Sequence, residues 1–148
     1  MQGGRFGRLI IEDPKLVEDL AHHDFSSVSG FTYPDPVYLD DDLCPEAGTW
    51  LDIVWIREPT TPRELPGLHV HEFPEVVLLV GSNAHDVTDL GGQVSWGMGE
   101  GEDAETFILT RTCAIYVPAG LWHGPLVFER VERPILNVAI GLQTGGYA

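Results

Sequence analysis

From residue 49 onward the sequence runs as strand-sized apolar segments cut apart by Gly, Pro and acidic turns, with no helical segment between them. The alternation predicts strands over about 49–57, 68–72, 75–81, 93–98, 105–110, 113–117, 122–131 and 134–142. Between them fall the turn signals Asp89-Leu90-Gly91-Gly92, the acidic loop 99–103 and Pro118-Ala119-Gly120. So many short strands without intervening helices restrict the fold to an antiparallel sandwich or barrel. The 148 residues make one ordinary domain, able to bury roughly 70 % of the surface of its unfolded form.

The N-terminal third reads differently. Residues 14–22 carry Leu16, Val17 and Leu20, which predicts a short amphipathic helix with Asp13 as N-cap and Pro14 at its first position. Residues 26–48, with Pro34, Pro36, Pro45 and Asp40-Asp41-Asp42, hold too many breakers for more than short extended pieces. The expected organisation is a helix and arm over 1–48 docked on a β-barrel over 49–148.

A formal net charge of −15, with Lys15 the single lysine, argues against partners that need a basic face, namely nucleic acid and anionic membrane. The longest apolar run, Val76-Val77-Leu78-Leu79-Val80, is too short to cross a bilayer. No basic segment followed by an apolar one opens the sequence, so the expected location is cytoplasmic. Cys44 and Cys113 form no CxxC pair and are expected as reduced thiols, Cys113 packed in a strand.

The chemistry concentrates in His69-Val70-His71-Glu72-Phe73-Pro74-Glu75 and, about fifty residues later, Pro118-Ala119-Gly120-Leu121-Trp122-His123. Two His at i and i+2 project from one face of an extended strand, whose side chains alternate with a period of two. Glu75, beyond the turn at Pro74, and the distant His123 complete a set of three nitrogens and one carboxylate, which suits a first-row transition metal. Residues so far apart meet only if sheets fold over each other, so the site and the fold stand or fall together.

This pattern resembles the two motifs of the cupin superfamily, a Gly, His-x-His, three or four residues, Glu and a further Gly, and then Pro-x-Gly-x-x-His. His69, His71, Glu75 and Gly81 match the first motif, and Pro118, Gly120 and His123 the second. Arg63 stands where a Gly precedes the first His, Gly81 falls one residue early, and Val127 replaces an Asn that usually follows the second motif's His. The resemblance covers roughly residues 49–142. It implies an all-β double-stranded β-helix, or jelly roll, and one divalent transition-metal ion (Fe, Mn, Ni, Cu or Zn) held by His69, His71, Glu75 and His123. It also implies a small-molecule ligand or substrate, and a homodimer formed through sheet edges and the arm over 26–48. Resembling families include dioxygenases, isomerases, lyases and decarboxylases, so the expected function is an enzyme acting on a small oxygenated molecule. The alternative is a ligand-binding or sensory cupin without turnover, a type usually fused to a DNA-binding domain; this chain has no helix-turn-helix segment.

Other residues are expected in supporting or surface roles. Glu72 alternates away from His71 toward solvent. His22 and His23, among Asp and Ser, and His85, in a polar loop, read as surface residues. Arg57, at the end of a strand, reads as surface, with binding of an anionic substrate as the alternative. Trp96 and Tyr116 are candidates for cavity wall or core, and Trp122 faces away from His123. Asn137 lies on the strand face opposite Leu136, Val138, Ile140 and Leu142, which leaves it directed either to the site or to solvent. Because His coordinates only when neutral and titrates near 6.5, metal-dependent stabilisation is expected to fade below about that pH.

Overall fold

The computed structural model describes residues 2–22, 28–60 and 66–147. Its strands are β1 (Lys15–Val17), β2 (Asp35–Leu39), β3 (Trp50–Ile56), β4 (Glu75–Gly81), β5 (Asp89–Met98), β6 (Glu105–Arg111), β7 (Cys113–Val117), β8 (His123–Val131) and β9 (Ile135–Gly141). They form a sheet of order β1-β2-β3-β9-β4-β7 and a smaller one of order β6-β5-β8. Every pairing is antiparallel. The two sheets fold over a common core, as the jelly-roll expectation requires.

Strand alternation builds that core. β3, β4, β7 and β9 of the larger sheet turn Val54, Ile56, Val77, Leu79, Ile115, Val117 and Ile135 inward, against Val94, Trp96, Leu126 and Phe128 of β5 and β8. Ile56, Leu79, Phe128 and Ile135 are each 0 % exposed, and burial of one such side chain contributes about 1.5–3 kcal/mol. Gly81 ends β4 where the next segment crosses. A Cβ there would lie 1.8 Å from the Asp89 carbonyl oxygen, so this close approach admits only glycine.

Three expectations are corrected. No helix forms over 14–22; Lys15–Val17 is instead the edge strand β1, paired with β2. Lys15 Nζ bonds Asp40 Oδ2 at 2.5 Å and Asp42 Oδ2 at 2.7 Å, while Val17 and Leu20 pack with Val37, Trp50 and Ala139. Tertiary pairing thus overrides a weak helical pattern that has no apolar stripe to bury, since Leu16 stays 61 % exposed. The strand predicted over 68–72 reduces to a single bridge between His69 and His123, for Pro66 and Pro74 bracket it and proline donates nothing to a ladder. The turn predicted at Asp89-Leu90-Gly91-Gly92 belongs to β5, where the register shifts between Asp89 and Val94. The glycines there mark a bulge, with Gly91 at φ +75°.

Cys44 is buried, Cys113 half-buried in β7, and both are free thiols. Among the described residues no helix is long and apolar enough to cross a membrane.

Candidate metal centre

The segment carrying His69 and His71 is clamped to the one leading into β8. His69 and His123 exchange both backbone hydrogen bonds at 2.9 Å, and the Gly120 amide donates to the His71 carbonyl at 2.8 Å. Glu75 opens β4 on its inner face and His123 opens β8, so two strand starts from opposite sheets deliver their first side chains to one place. All four side chains are buried: His69 4 %, His71 3 %, Glu75 3 % and His123 1 % exposed.

One ligand atom from each of His69, His71 and His123 lies within 4.8 Å of the others, a cluster that can hold a metal ion. Ligands on an ion at about 2.0–2.2 Å stand about 3.0–4.3 Å apart, so a small inward movement closes the shell. Glu75 Oε2 lies 3.0 Å from His71 Nε2 and 3.8 Å from His123 Nε2. No hydrogen bond is properly aligned on Glu75 Oε2 or on His123 Nε2, although both are buried. Buried polar atoms are rarely left so, and these two fit a cation between them.

The imidazoles are set for coordination through Nε2. His69 Nδ1–H donates to the Gly67 carbonyl at 2.6 Å and His123 Nδ1–H to the Leu121 carbonyl at 2.9 Å. Each bond fixes the tautomer and turns the Nε2 lone pair toward the cluster. Burial pushes the His69 pKa down to about 3, helped by the neighbouring imidazoles and opposed by the Gly67 bond. Burial likewise lowers that of His123, against the pull of Glu75. Neutral imidazole is the form a metal needs.

Around the ligands Val77, Leu126 and Ala139 make an apolar wall, with Trp96 and Asn137 beside them. Trp96 is 3 % exposed and its ring lies near-parallel to His123 at 5.9 Å. Asn137 is 8 % exposed and faces the cavity, since β9 turns Ile135, Asn137, Ala139 and Gly141 inward.

Two neighbours escaped the sequence reading. The Tyr147 hydroxyl lies 3.1 Å from His71 Nε2, and its ring packs on Trp50, His71 and Phe73. Burial raises its pKa, as do the carboxylates of Glu75, Asp52 and Asp35, so it stays a phenol. His22 is a surface residue, as expected, but one that lies against the site. Its ring stacks on His69 at 4.3 Å and meets His71 at 5.7 Å. Neither has a spacing signal, because each reaches the centre from an irregular segment far off in sequence.

The remaining candidates fall elsewhere. Glu72 and His85 are exposed. Arg57 is exposed and borders an outer hollow with Trp55, Ser82 and Pro134. Tyr116 is 57 % and Trp122 36 % exposed. His23 and Arg63 lie outside the described residues.

No family model and no curated protein matches the sequence. Solved structures do match in shape. The Fe(II) form of HppE with the alternative substrate (S)-1-HPP superposes with a TM-score of 0.55 at 9 % identity, over 90 % of this chain and 58 % of that one. Recombinant oxalate oxidase in complex with glycolate gives 0.53 at 17 %, over 97 % and 63 %. Oxalate decarboxylase from Bacillus subtilis, studied for its Mn(II) centres, gives 0.51 at 18 %, over 77 % and 27 %. The chain spans less than two thirds of each of these proteins. That likeness in shape, with two antiparallel sheets folded over a common core, gives the chain the cupin fold.

Proposed function

We propose that the chain is a metal-dependent enzyme that acts on a small oxygenated organic molecule through one divalent transition metal held by His69, His71, His123 and Glu75. The observation that carries this reading is the convergence of buried imidazole nitrogens on a buried carboxylate oxygen that no hydrogen bond engages. Bound there, the ion would supply Lewis-acid or redox chemistry at a substrate's oxygen atoms, as in a dioxygenase, isomerase or lyase. The protein's own contributions are separable. The Gly67 and Leu121 carbonyls hold two imidazoles in the coordinating tautomer. The Glu75 carboxylate offsets one positive charge, and Val77, Leu126 and Ala139 present an apolar wall to whatever binds. Tyr147 keeps its proton beside His71 Nε2, where it can be donated to an oxygen held at the centre.

Glu75→Gln keeps shape and removes charge. It is expected to leave the melting profile of the metal-free protein within about 1 kcal/mol of wild type while weakening metal binding by about tenfold or more and abolishing turnover. Isothermal titration with metal, alongside a substrate screen of the loaded protein, checks this. Unchanged metal affinity would remove Glu75 from the ligand set. A compound that binds the loaded protein saturably and is recovered unchanged would favour the binding-module reading.

We further propose a homodimer through the outer face of the larger sheet. Leu51, Ile53 and Trp55 of β3 register against Ile140, Val138 and Leu136 of β9, and these against Val76, Leu78 and Val80 of β4, with Ala114 and Tyr116 of β7 beyond. This face carries no charge in a chain of net −15, so it is the surface on which a second copy meets least repulsion. Four strands of about six residues cover on the order of 400 Å² in projection, and more over the side chains, which approaches the roughly 800 Å² per partner of a stable interface. Light scattering coupled to size exclusion is expected to give a dimer, and Leu78→Asp with Val138→Asp a folded monomer. A monomeric wild-type protein at about 50 µM, a concentration far above the Kd of stable interfaces, would end the proposal.

A further inference from the structure

The wall of the metal cavity holds no lysine or arginine among the described residues. Buried acids stand in it and on the strands β2 and β3. Glu75 is in the wall itself, and Asp35 and Asp52, 0 % and 1 % exposed, project inward from β2 and β3. Asp52 adjoins the wall, since its Oδ1 accepts from the amide of the lining residue Ala139 at 3.3 Å, and the carboxylates of Glu75, Asp52 and Asp35 all raise the pKa of the Tyr147 hydroxyl.

Two further polar atoms in this wall are buried without a hydrogen-bond partner. One is the indole Nε1 of Trp96, a donor; the other is Oδ1 of Asn137, an acceptor. A buried polar group left unsatisfied costs about 1–3 kcal/mol, so a ligand that offers an acceptor to the indole and a donor to the amide gains on both counts. Apolar surface surrounds them, so nothing else nearby competes for those bonds.

Charge then limits what such a ligand can carry. A divalent cation beside the Glu75 carboxylate leaves one net positive charge, and neutral imidazoles add none. One negative charge on the ligand is neutralised. A second would sit desolvated with no cation to meet it and with Asp35 and Asp52 nearby, and burying an unpaired charge costs several kcal/mol.

Resting on the metal reading above, we infer that the cavity selects small oxygenated ligands bearing at most one negative charge, held between the Trp96 indole N–H and the Asn137 amide, and rejects dianions. The wall thereby sets a preference opposite to that of a bare divalent ion in water, which binds the most highly charged oxygen ligand most tightly. The single inversion is what the experiment reads.

Glycolamide, glycolate and hydroxymethylphosphonate share one hydroxymethyl group and are uncharged, singly negative and mostly doubly negative at about pH 8. Each is titrated into the full chain loaded with Co(II), by calorimetry and by the cobalt absorption spectrum, with bound cobalt assayed in the same samples. Glycolamide and glycolate are expected to bind saturably, and hydroxymethylphosphonate about tenfold more weakly or worse. Trp96→Phe and Asn137→Leu are each expected to weaken glycolamide about fivefold without lowering cobalt content. The wild-type series needs no variant, so it stands if either substitution fails to fold. Hydroxymethylphosphonate binding as tightly as glycolate, or none of the probes binding to cobalt-loaded protein, overturns the inference while leaving the metal centre in place. Two folded variants that bind glycolamide as wild type does also overturn it. A wild-type chain that takes up no cobalt overturns the metal reading and this inference with it.

Discussion

Alanine in place of His123 is expected to lower the metal that copurifies with the protein from about one ion per chain to below about a tenth. The imidazole it removes is 1 % exposed, and its Nδ1–H is already committed to the Leu121 carbonyl. Its neighbours in the wall include Val77, Trp96 and Leu126, none of which can supply a metal ligand. His71→Ala is expected to lose metal to a similar degree, with Tyr147 left without its contact at 3.1 Å. Inductively coupled plasma mass spectrometry on protein purified without added metal reads both. The ions found are expected to be Fe, Mn, Ni, Cu or Zn, since Ca and Mg prefer shells made wholly of oxygen. Both metal-free variants are expected to keep the far-ultraviolet circular dichroism of wild type. The core of Ile56, Leu79, Phe128 and Ile135 does not depend on the ion, and the cavity left by one imidazole costs about 1–3 kcal/mol. Full metal occupancy in both variants would dismiss the proposed ligand set.

What was legible in the sequence was the succession of strand-sized apolar segments. β4 is legible as the apolar run Val76 to Val80, but both of its faces are apolar, so its inward face, with Val77 and Leu79, is marked only by Glu75 of the ligand motif. β9 was harder, because its inward residues Asn137, Ala139 and Gly141 are the less apolar set while Leu136, Val138 and Ile140 face out. Hydrophobicity alone points that strand the wrong way. The inward face is chosen instead by the cavity, which needs small and polar side chains, and the outer face is free to be apolar only if something covers it.

The misreadings lie where long-range contacts outweigh local pattern. β1 exists because β2 offers it a ladder and Asp40 and Asp42 hold Lys15, none of which is visible within residues 14–22. The His69 segment is held by His123 across the barrel rather than by its own strand propensity. His22 and Tyr147 reach the centre from an exposed turn and from the C-terminal segment. Their placement is a product of chain path, which no spacing rule encodes, whereas His69, His71 and His123, which the fold brings together, stand in the sequence at motif spacings.

Acidification is expected to destabilise the metal-free protein from about pH 6.5 downward, and to leave the gap between loaded and metal-free protein open to a lower pH than free histidine would allow. In the unfolded chain His69 titrates near 6.5, whereas in the folded protein burial holds it to about 3. His123 is lowered in the same direction and for the same chief reason. Between those two values the unfolded state binds more protons than the folded state, so stability rises with pH. The contribution of these histidines is therefore complete above about 6.5 and is lost as the pH falls toward the folded-state value, at no more than about 1.4 kcal/mol per pH unit for each. Protons compete less for the His69 and His123 nitrogens of the folded protein over the same range, so the stabilisation that bound metal adds is expected to persist further below about 6.5 than two free histidines would allow. Urea unfolding of loaded and metal-free protein at about pH 8, 6.5, 5 and 4 measures both effects. His69→Gln separates them from general acid effects on a chain of net −15, because it should flatten the metal-free slope by the share of one histidine. A slope unchanged in His69→Gln would mean that His69 is hydrated and protonates in the folded protein as readily as in the unfolded one, which its 4 % exposure and its bond to Gly67 speak against.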